Sequence, residues 1–234
     1  MATQRCRVIA HRGASRRERE NTLAAFTLAR DLRADLVELD ARRTRNGVIV
    51  VHHDVRLGDG RVIVELDSEA LPSHVPSLAA ALDACRPMGV NVEIKNVPGE
   101  PDHDVEHRHL DAIVAVMTAA RPASELLVSS FDETTLMRLR AIAPQFATAL
   151  LTYELADPRE LVERAVANGH VALHPFDATV DVAFVARAHD SGLLVNVWTV
   201  DDPHRMRELI SFGVDGICTN EPDVARAVVD AVRE

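Results

Sequence analysis

The sequence predicts an α/β fold, a (β/α)8 barrel, and three observations carry that prediction. Short β-type apolar runs alternate with amphipathic helical stretches from one end to the other. Eight such units can be counted, and no break in composition marks a linker. The 234 residues are therefore read as one domain, near the ~250 residues usual for such a barrel. An open doubly wound sheet is the competing arrangement, but a last helix at Val224 to Val232 after an eighth strand closes a ring naturally.

The first run, Val8 to Ala10, leads into Leu23, Phe26, Leu28 and Leu32, a helical pattern with Asn21 or Thr22 as its N-cap. Asp35 to Leu39 forms the second run. The Asn-Gly pair in Arg45-Asn46-Gly47 is a hairpin signal, and the arm beyond it, Val48-Ile49-Val50-Val51, extends the second strand or runs beside it. Residues 54–76, with Gly58-Asp59-Gly60, are polar and read as a short loop-rich insertion inside a single domain spanning 1–234. Pro76-Ser77-Leu78 opens the next helix. The remaining runs are Val90 to Ile94, Leu126 to Val128, Ala147 to Leu151, Val171 to Leu173, Leu193 to Val197 and Val214 to Cys218. Several helices between them end on glycine, at Gly169, Gly192 and Gly213, as a C-cap requires.

Composition removes several functions. A net charge of -10 argues against nucleic acid and against anionic membranes, both of which need basic patches. Cys6, Cys85 and Cys218 are widely spaced and odd in number, so they form neither a disulfide framework nor a CxxC metal site and read as small buried hydrophobes. The segment from Met1 to Arg7 lacks the apolar stretch of a signal peptide, and no run approaches the ~20 residues of a membrane span. The expectation is a cytoplasmic monomer or homodimer without stable membrane insertion.

A barrel of this type carries its chemistry at the C-terminal ends of its strands. The residues found there are His11 and Arg12, Glu38 and Asp40, Glu93 and Lys95, Ser129 and Ser130, His174, Trp198, and Thr219 with Asn220. Glu38 and Asp40 are two apart, as are Glu93 and Lys95, so each pair shares one face of its strand. Three carboxylates aimed into one mouth repel each other unless a cation lies between them, and carboxylate oxygens select hard cations such as Mg²⁺ or Ca²⁺. The residues alone thus indicate a metal-dependent barrel enzyme.

His11-Arg12-Gly13, Glu20-Asn21-Thr22, Glu38-x-Asp40, His53-Asp54, Glu93-Ile94-Lys95, Ser130-Phe131, Trp198-Thr199-Val200 and Gly216-Ile217-x-Thr219-Asn220 occur in that order almost end to end. Together they resemble the glycerophosphodiester phosphodiesterase family. The resemblance implies a TIM barrel, a divalent metal, and hydrolysis of a small-molecule glycerophosphodiester to glycerol 3-phosphate and an alcohol, in lipid and glycerol metabolism. It puts the metal ligands on Glu38, Asp40 and Glu93 and the acid/base histidines on His11 and His53. The chemistry agrees, because two imidazoles can exchange a proton near neutral pH. Arg12 and Lys95 are expected to hold the phosphate. The attacking group is either a metal-bound water or, by resemblance, the substrate's own glycerol hydroxyl through a cyclic phosphate.

Other readings stand beside these. His52 and His53 are neighbours and point to opposite sides of an extended strand, so His52 is read as a packing or surface residue. Glu38 and Asp40 could instead pair with Arg42 and Arg43, and Lys95 could serve as a structural partner of Glu93. Glu20, with Asn21 beside it, is read as orienting His11 or Arg12 rather than binding metal. Trp198 and His174 are candidate substrate-binding residues whose alternative is plain core packing. His103, His107 and His109 are read as a solvated face. After His53-Asp54 the family commonly continues with Arg-Thr-Thr; here Asp59 stands near the place of that arginine, which puts the choice of alcohol in question. The alternatives to a glycerophosphodiesterase are a lysophospholipase D and an inactive barrel used as a binding module.

Overall fold

The computed structural model describes residues 5–154 and 157–232, and in it the apolar runs become strands and the periodic stretches become helices, alternating except where the third strand follows the second directly. The chain runs β1 (Arg7–His11), α1 (Leu23–Asp31), β2 (Leu36–Arg43), β3 (Ile49–Val51), α2 (Leu78–Ala84), β4 (Gly89–Ile94), α3 (His109–Ala120), β5 (Leu126–Ser130) and α4 (Glu133–Ile142). It continues with β6 (Ala147–Thr152), α5 (Pro158–Ala167), β7 (Ala172–Pro175), α6 (Val182–Asp190), β8 (Leu194–Val197), α7 (Pro203–Phe212), β9 (Gly216–Thr219) and α8 (Pro222–Ala231).

Parallel pairing follows the order β1-β9-β8-β7-β6-β5-β4-β2, and β1 also pairs with β2, so the ring closes and the open-sheet alternative is excluded. β3 lies antiparallel against the end of β2, with Ala41 opposite Val51 and Arg43 opposite Ile49. The arm beyond Asn46-Gly47 therefore runs beside the second strand rather than extending it.

Alternation along the strands decides which residues build the shell and which reach the axis. Val8, Ala10, Val37, Leu39, Val90 and Val92 pack in one cluster with helix residues such as Phe26, Leu82 and Ile113. Each of these side chains larger than alanine stabilises the fold by about 1.5–3 kcal/mol relative to exposure. The intervening Ile9, Glu38, Asn91 and Glu93 face the barrel's interior cavity. Thr22, not Asn21, caps α1 by accepting from the Ala25 amide. Ser77 and the aspartates 132, 157, 181 and 202 cap α2 and α4 to α7 in the same way. At the other helix ends Gly169, Gly192 and Gly213 take φ of 71, 78 and 92°, the left-handed turn that only glycine adopts without strain.

Between β3 and α2 the chain is more structured than its polarity implies. It forms two 3₁₀ turns, Ile63–Glu65 and Ser68–Ala70, and buries Leu57 and Ile63 against Val50 in a small core of its own. The ring's ends are tied by Arg226 of α8, which donates to Asp35 Oδ2 (2.5 Å) and the Arg33 carbonyl (3.1 Å), while Asp35 also accepts from the Val8 amide (2.8 Å). The three cysteines are buried free thiols, as their spacing suggests. Among the described residues no helix is long and apolar enough to cross a membrane. Of the segment read for a leader, Met1 to Gln4 lie outside the described residues.

Candidate active site

Strand register, rather than sequence proximity, assembles the carboxylates. His11 of β1 stands level with Glu38 of β2 and Asn91 of β4, and one step further Asp40 stands level with Glu93. Glu38, Asp40 and Glu93 each offer an oxygen within 4.8 Å of the others, and all three are buried. Two cations are set among them. Lys95 Nζ lies 2.5 Å from Glu93 Oε1 and 3.0 Å from Asp40 Oδ1, and Arg12 Nε lies 3.4 Å from Asp40 Oδ2. The Arg12 backbone N–H donates to Glu38 Oε2 (3.0 Å), and the Asn21 amide donates to Asp40 Oδ2 (2.7 Å).

These surroundings separate the acids. Burial, reinforced by the charges of Asp40 and Glu93, pushes the Glu38 carboxyl well above its ordinary range. Burial also raises Glu93, against the opposing pull of Lys95. Asp40 is equally buried, yet Lys95 and Arg12 hold it below the usual carboxylate range. Lys95 is raised in turn, because Asp40 and Glu93 outweigh its own burial.

The donor set fits a divalent cation. Glu38 Oε1 is buried without a hydrogen-bond partner, and three carboxylate oxygens of this spacing are hard ligands of the kind Mg²⁺ and Ca²⁺ prefer.

Both candidate histidines are tethered through Nδ1. His11 Nδ1 lies 2.7 Å from Asn220 Oδ1. Asp201 fixes that amide's orientation by accepting from Asn220 Nδ2 (2.7 Å) and from the Asn220 backbone N–H (2.9 Å). The Asn220 oxygen must therefore accept, which puts the hydrogen on His11 Nδ1 and leaves Nε2 as the free lone pair. His53 Nδ1 lies 2.8 Å from Asp54 Oδ1, with the same consequence for its Nε2. Burial lowers both imidazoles from their ordinary pKa; Arg12 adds to the effect at His11, and Asp40 opposes it at His53.

Two cavities meet at this point. An inner one of about 260 Å³ contains His11, Glu38, Glu93, His174 and Trp198, and an outer one of about 720 Å³ contains Glu20, Asn21, His52 and Arg56. His53, Lys95 and Phe131 line both.

The expected residues fall into three groups. His11, Arg12, Glu38, Asp40, His53, Glu93 and Lys95 come together. Glu20 and Asn21 support them, Glu20 by binding Arg12 Nη1 through both oxygens at 3.0 Å. Trp198 and His174 line the inner wall: Trp198 packs against Phe131, Tyr153 and Phe176, and His174, fully enclosed, accepts from the Asn196 amide at 2.9 Å and is pushed down to about 3 by burial. Arg42 does not pair with Glu38 or Asp40; it binds Glu100 and Asp102 and donates to the His53 carbonyl (2.8 Å).

The solvated reading of the histidines near α3 needs correction at His107 and His109. His109 is buried because Asp104 accepts from both its backbone N–H and its Nδ1, and His107 bonds Asn96 and Thr135. Sequence reasoning missed Asp201 as the anchor of Asn220, although it too follows a strand end. It also missed the ring wall of Tyr153 and Phe176, which stack at 4.8 Å across two different strand-to-helix loops.

A sequence model of the glycerophosphoryl diester phosphodiesterase family matches residues 11–224. A glycerophosphodiester phosphodiesterase of Caldanaerobacter subterraneus subsp. tengcongensis is 32% identical, the match covering 92% of this chain and 94% of that protein. Among solved structures, an Oleispira antarctica phosphodiesterase in complex with the product sn-glycerol-3-phosphate superposes with a TM-score of 0.88 at 26% identity, covering 97% of each chain. A glycerophosphodiester phosphodiesterase of Thermotoga maritima gives 0.81 at 26%, covering 95% of this chain and 98% of its own.

Proposed function

This chain belongs to the glycerophosphodiester phosphodiesterase family, and we propose that it hydrolyses glycerophosphodiesters to sn-glycerol 3-phosphate and an alcohol, with Glu38, Asp40 and Glu93 holding a divalent cation, Mg²⁺ or Ca²⁺, and with His11 and His53 moving the proton. The observation that carries the division of labour is the pair of Nδ1-tethered imidazoles beside three clustered carboxylates.

Cleaving a phosphodiester requires a deprotonated attacking oxygen, a protonated leaving alkoxide and a counter to the phosphoryl charge. A bound cation supplies Lewis-acid polarisation of the phosphoryl oxygens. The chain's own residues supply the rest. His11 lines the inner cavity and not the outer one, and its neutral Nε2 accepts the proton of an attacking hydroxyl there. His53 opens on the outer cavity as well, where it returns a proton to the departing alcohol. A phosphate beside His53 adds negative charge and raises its pKa toward the protonated form that this step needs. Lys95 and Arg12 bind the phosphoryl oxygens, Glu20 and Asn21 hold Arg12 and Asp40 in place, and Trp198 and His174 shape the inner wall. The attacking oxygen is either water or the substrate's glycerol hydroxyl.

The proposal includes one domain whose 54–76 insertion walls the outer cavity, acting without nucleic acid and as a monomer or homodimer. Three reduced, buried cysteines suit a cytoplasmic location. A second reading, lysophospholipase D activity, is favoured by two apolar rings at the mouth, Phe131 at 41% and Tyr153 at 61% exposure. Release of glycerol 3-phosphate or its acyl derivative across a panel of headgroups and lysolipids, with Mg²⁺ or Ca²⁺ present, decides between them. Turnover of glycerophosphocholine above that of lysophosphatidylcholine supports the first reading, the reverse order supports the second, and release from neither overturns both.

A further inference from the structure

The outer cavity carries a charge pattern that cleavage of the phosphodiester does not use. Its three carboxylates are all engaged: Glu20 by Arg12 at 3.0 Å, Asp54 by His53 at 2.8 Å and Glu100 by Arg42 at 2.9 Å. Four basic groups on the same walls, Arg19, Arg56, His52 and His74, make no ion pair among the described residues. Arg56 donates to the Gly60 carbonyl (3.1 Å) and so rests on backbone with guanidinium donors left over, while His52 Nδ1 donates to the Asp54 carbonyl (2.9 Å). Burial, with Arg19 and His52 nearby, lowers the His74 pKa, so His74 lies within electrostatic reach of Arg19 and meets an anion as a neutral imidazole N–H donor beside that guanidinium. In a chain of net charge -10, two arginines without an ion pair, flanked by two imidazoles inside a concave site of about 720 Å³, are a local exception.

We propose that this cluster is a subsite for an anionic group on the alcohol half of the substrate, a phosphate or a carboxylate. The inference rests on the phosphodiesterase reading above and adds the class of alcohol. His53, Lys95 and Phe131 border both cavities, so a phosphate held by Lys95 sits at their junction and its two ester arms leave in different directions. The glycerol arm has no ionisable group, and the smaller, aromatic-walled inner cavity offers no free cation to an anion. The arm that reaches Arg19 and His74 is therefore the alcohol. A guanidinium binds phosphate or carboxylate with paired N–H donors, whereas a choline or ethanolamine cation at this position meets like charge. No aromatic cage compensates for that repulsion, because Phe131 is the one phenyl, phenol or indole ring among the described residues lining the outer cavity.

The test compares kcat/KM of the whole protein, with Mg²⁺ or Ca²⁺ at saturation, on four diesters whose alcohols are glycerol, glycerate, glycerol phosphate and choline. The carboxylate and phosphate arms separate the two sources of negative charge. Preference for at least one anionic alcohol over choline by about tenfold is expected, the ratio that about 1.4 kcal/mol of binding free energy produces. In Arg19→Gln/His74→Gln, exposed and half-buried positions outside the apolar clusters, that ratio falls toward one while the far-UV circular dichroism is unchanged. Equal or better turnover of the choline diester by the unaltered protein overturns the subsite, as does a double variant that keeps the anionic preference. Both results would leave the phosphodiesterase activity standing. Turnover of none of the four substrates overturns that activity, and the subsite with it.

Discussion

At the scale of single residues, the account turns on which imidazole nitrogen is free. Asp201 fixes the Asn220 amide, the amide fixes the His11 tautomer, and Asp54 does the same for His53. His11→Ala is expected to lower kcat by about 10²–10⁴ while leaving the thermal midpoint nearly unchanged, the range for loss of a positioned acid or base. A rate within a few fold of the unaltered protein would remove His11 from proton transfer. His174 makes a different prediction. Burial holds its pKa near 3 in the folded chain, while the unfolded chain binds a proton at its ordinary 6.5. The unfolded state therefore gains protons first as pH falls, and the contribution of His174 to stability is complete above about 6.5 and is lost between there and about 3. Over that window the protein should lose up to about 1.4 kcal/mol more per pH unit than His174→Gln in urea unfolding; parallel pH profiles would show that His174 is not held neutral. Six of the seven clustered residues were legible in the sequence because strand-end placement and period-two spacing are local properties, while His53 was singled out only by the family resemblance. Asp201 was not, since its role depends on the Asn220 amide 19 residues on and on the direction in which that amide points.

At the scale of elements, the connection from β1 to α1 carries the most strain and the most function. Arg12 and Asn21 adopt φ of 56 and 58°, which turns the Arg12 amide toward Glu38 and the Asn21 side chain toward Asp40. Gly13 follows at φ 84°, and a Cβ placed there would meet the Ala25 carbonyl carbon and Cβ at 2.7 Å. Gly13→Ala is therefore expected to destabilise the fold by about 3 kcal/mol, from left-handed strain and overpacking together, as read by denaturant unfolding. An unchanged midpoint would mean the turn relaxes. Strands, helices and the β2–β3 hairpin could be read from periodicity and from Asn46-Gly47. The internal order of the 54–76 insertion could not, because the apolar residues that build its core, Leu57 and Ile63, are isolated in sequence and gain a partner only when Val50 of β3 arrives. For the same reason the histidines near α3 read as solvated: burial of His109 depends on Asp104 folding back over it.

At the scale of the whole molecule, a closed ring is what makes three acids on two strands a single site. Closure was foreseeable from eight units, but the register that sets Asp40 level with Glu93 is a tertiary fact, supplied by pairing of β2 with β4. Ring closure also creates the two cavities and hence the separate environments for the two ester arms. The central claim is that this barrel mouth hydrolyses phosphodiesters only with a divalent cation on Glu38, Asp40 and Glu93. It is tested most directly by measuring glycerol 3-phosphate release against free Mg²⁺ or Ca²⁺ after chelation, in the unaltered protein and in Glu38→Gln. The account predicts no release in excess chelator, saturable recovery as the cation is restored, and a Glu38→Gln curve displaced to at least tenfold higher cation. Undiminished release in excess chelator, with the same curve for Glu38→Gln, would contradict it.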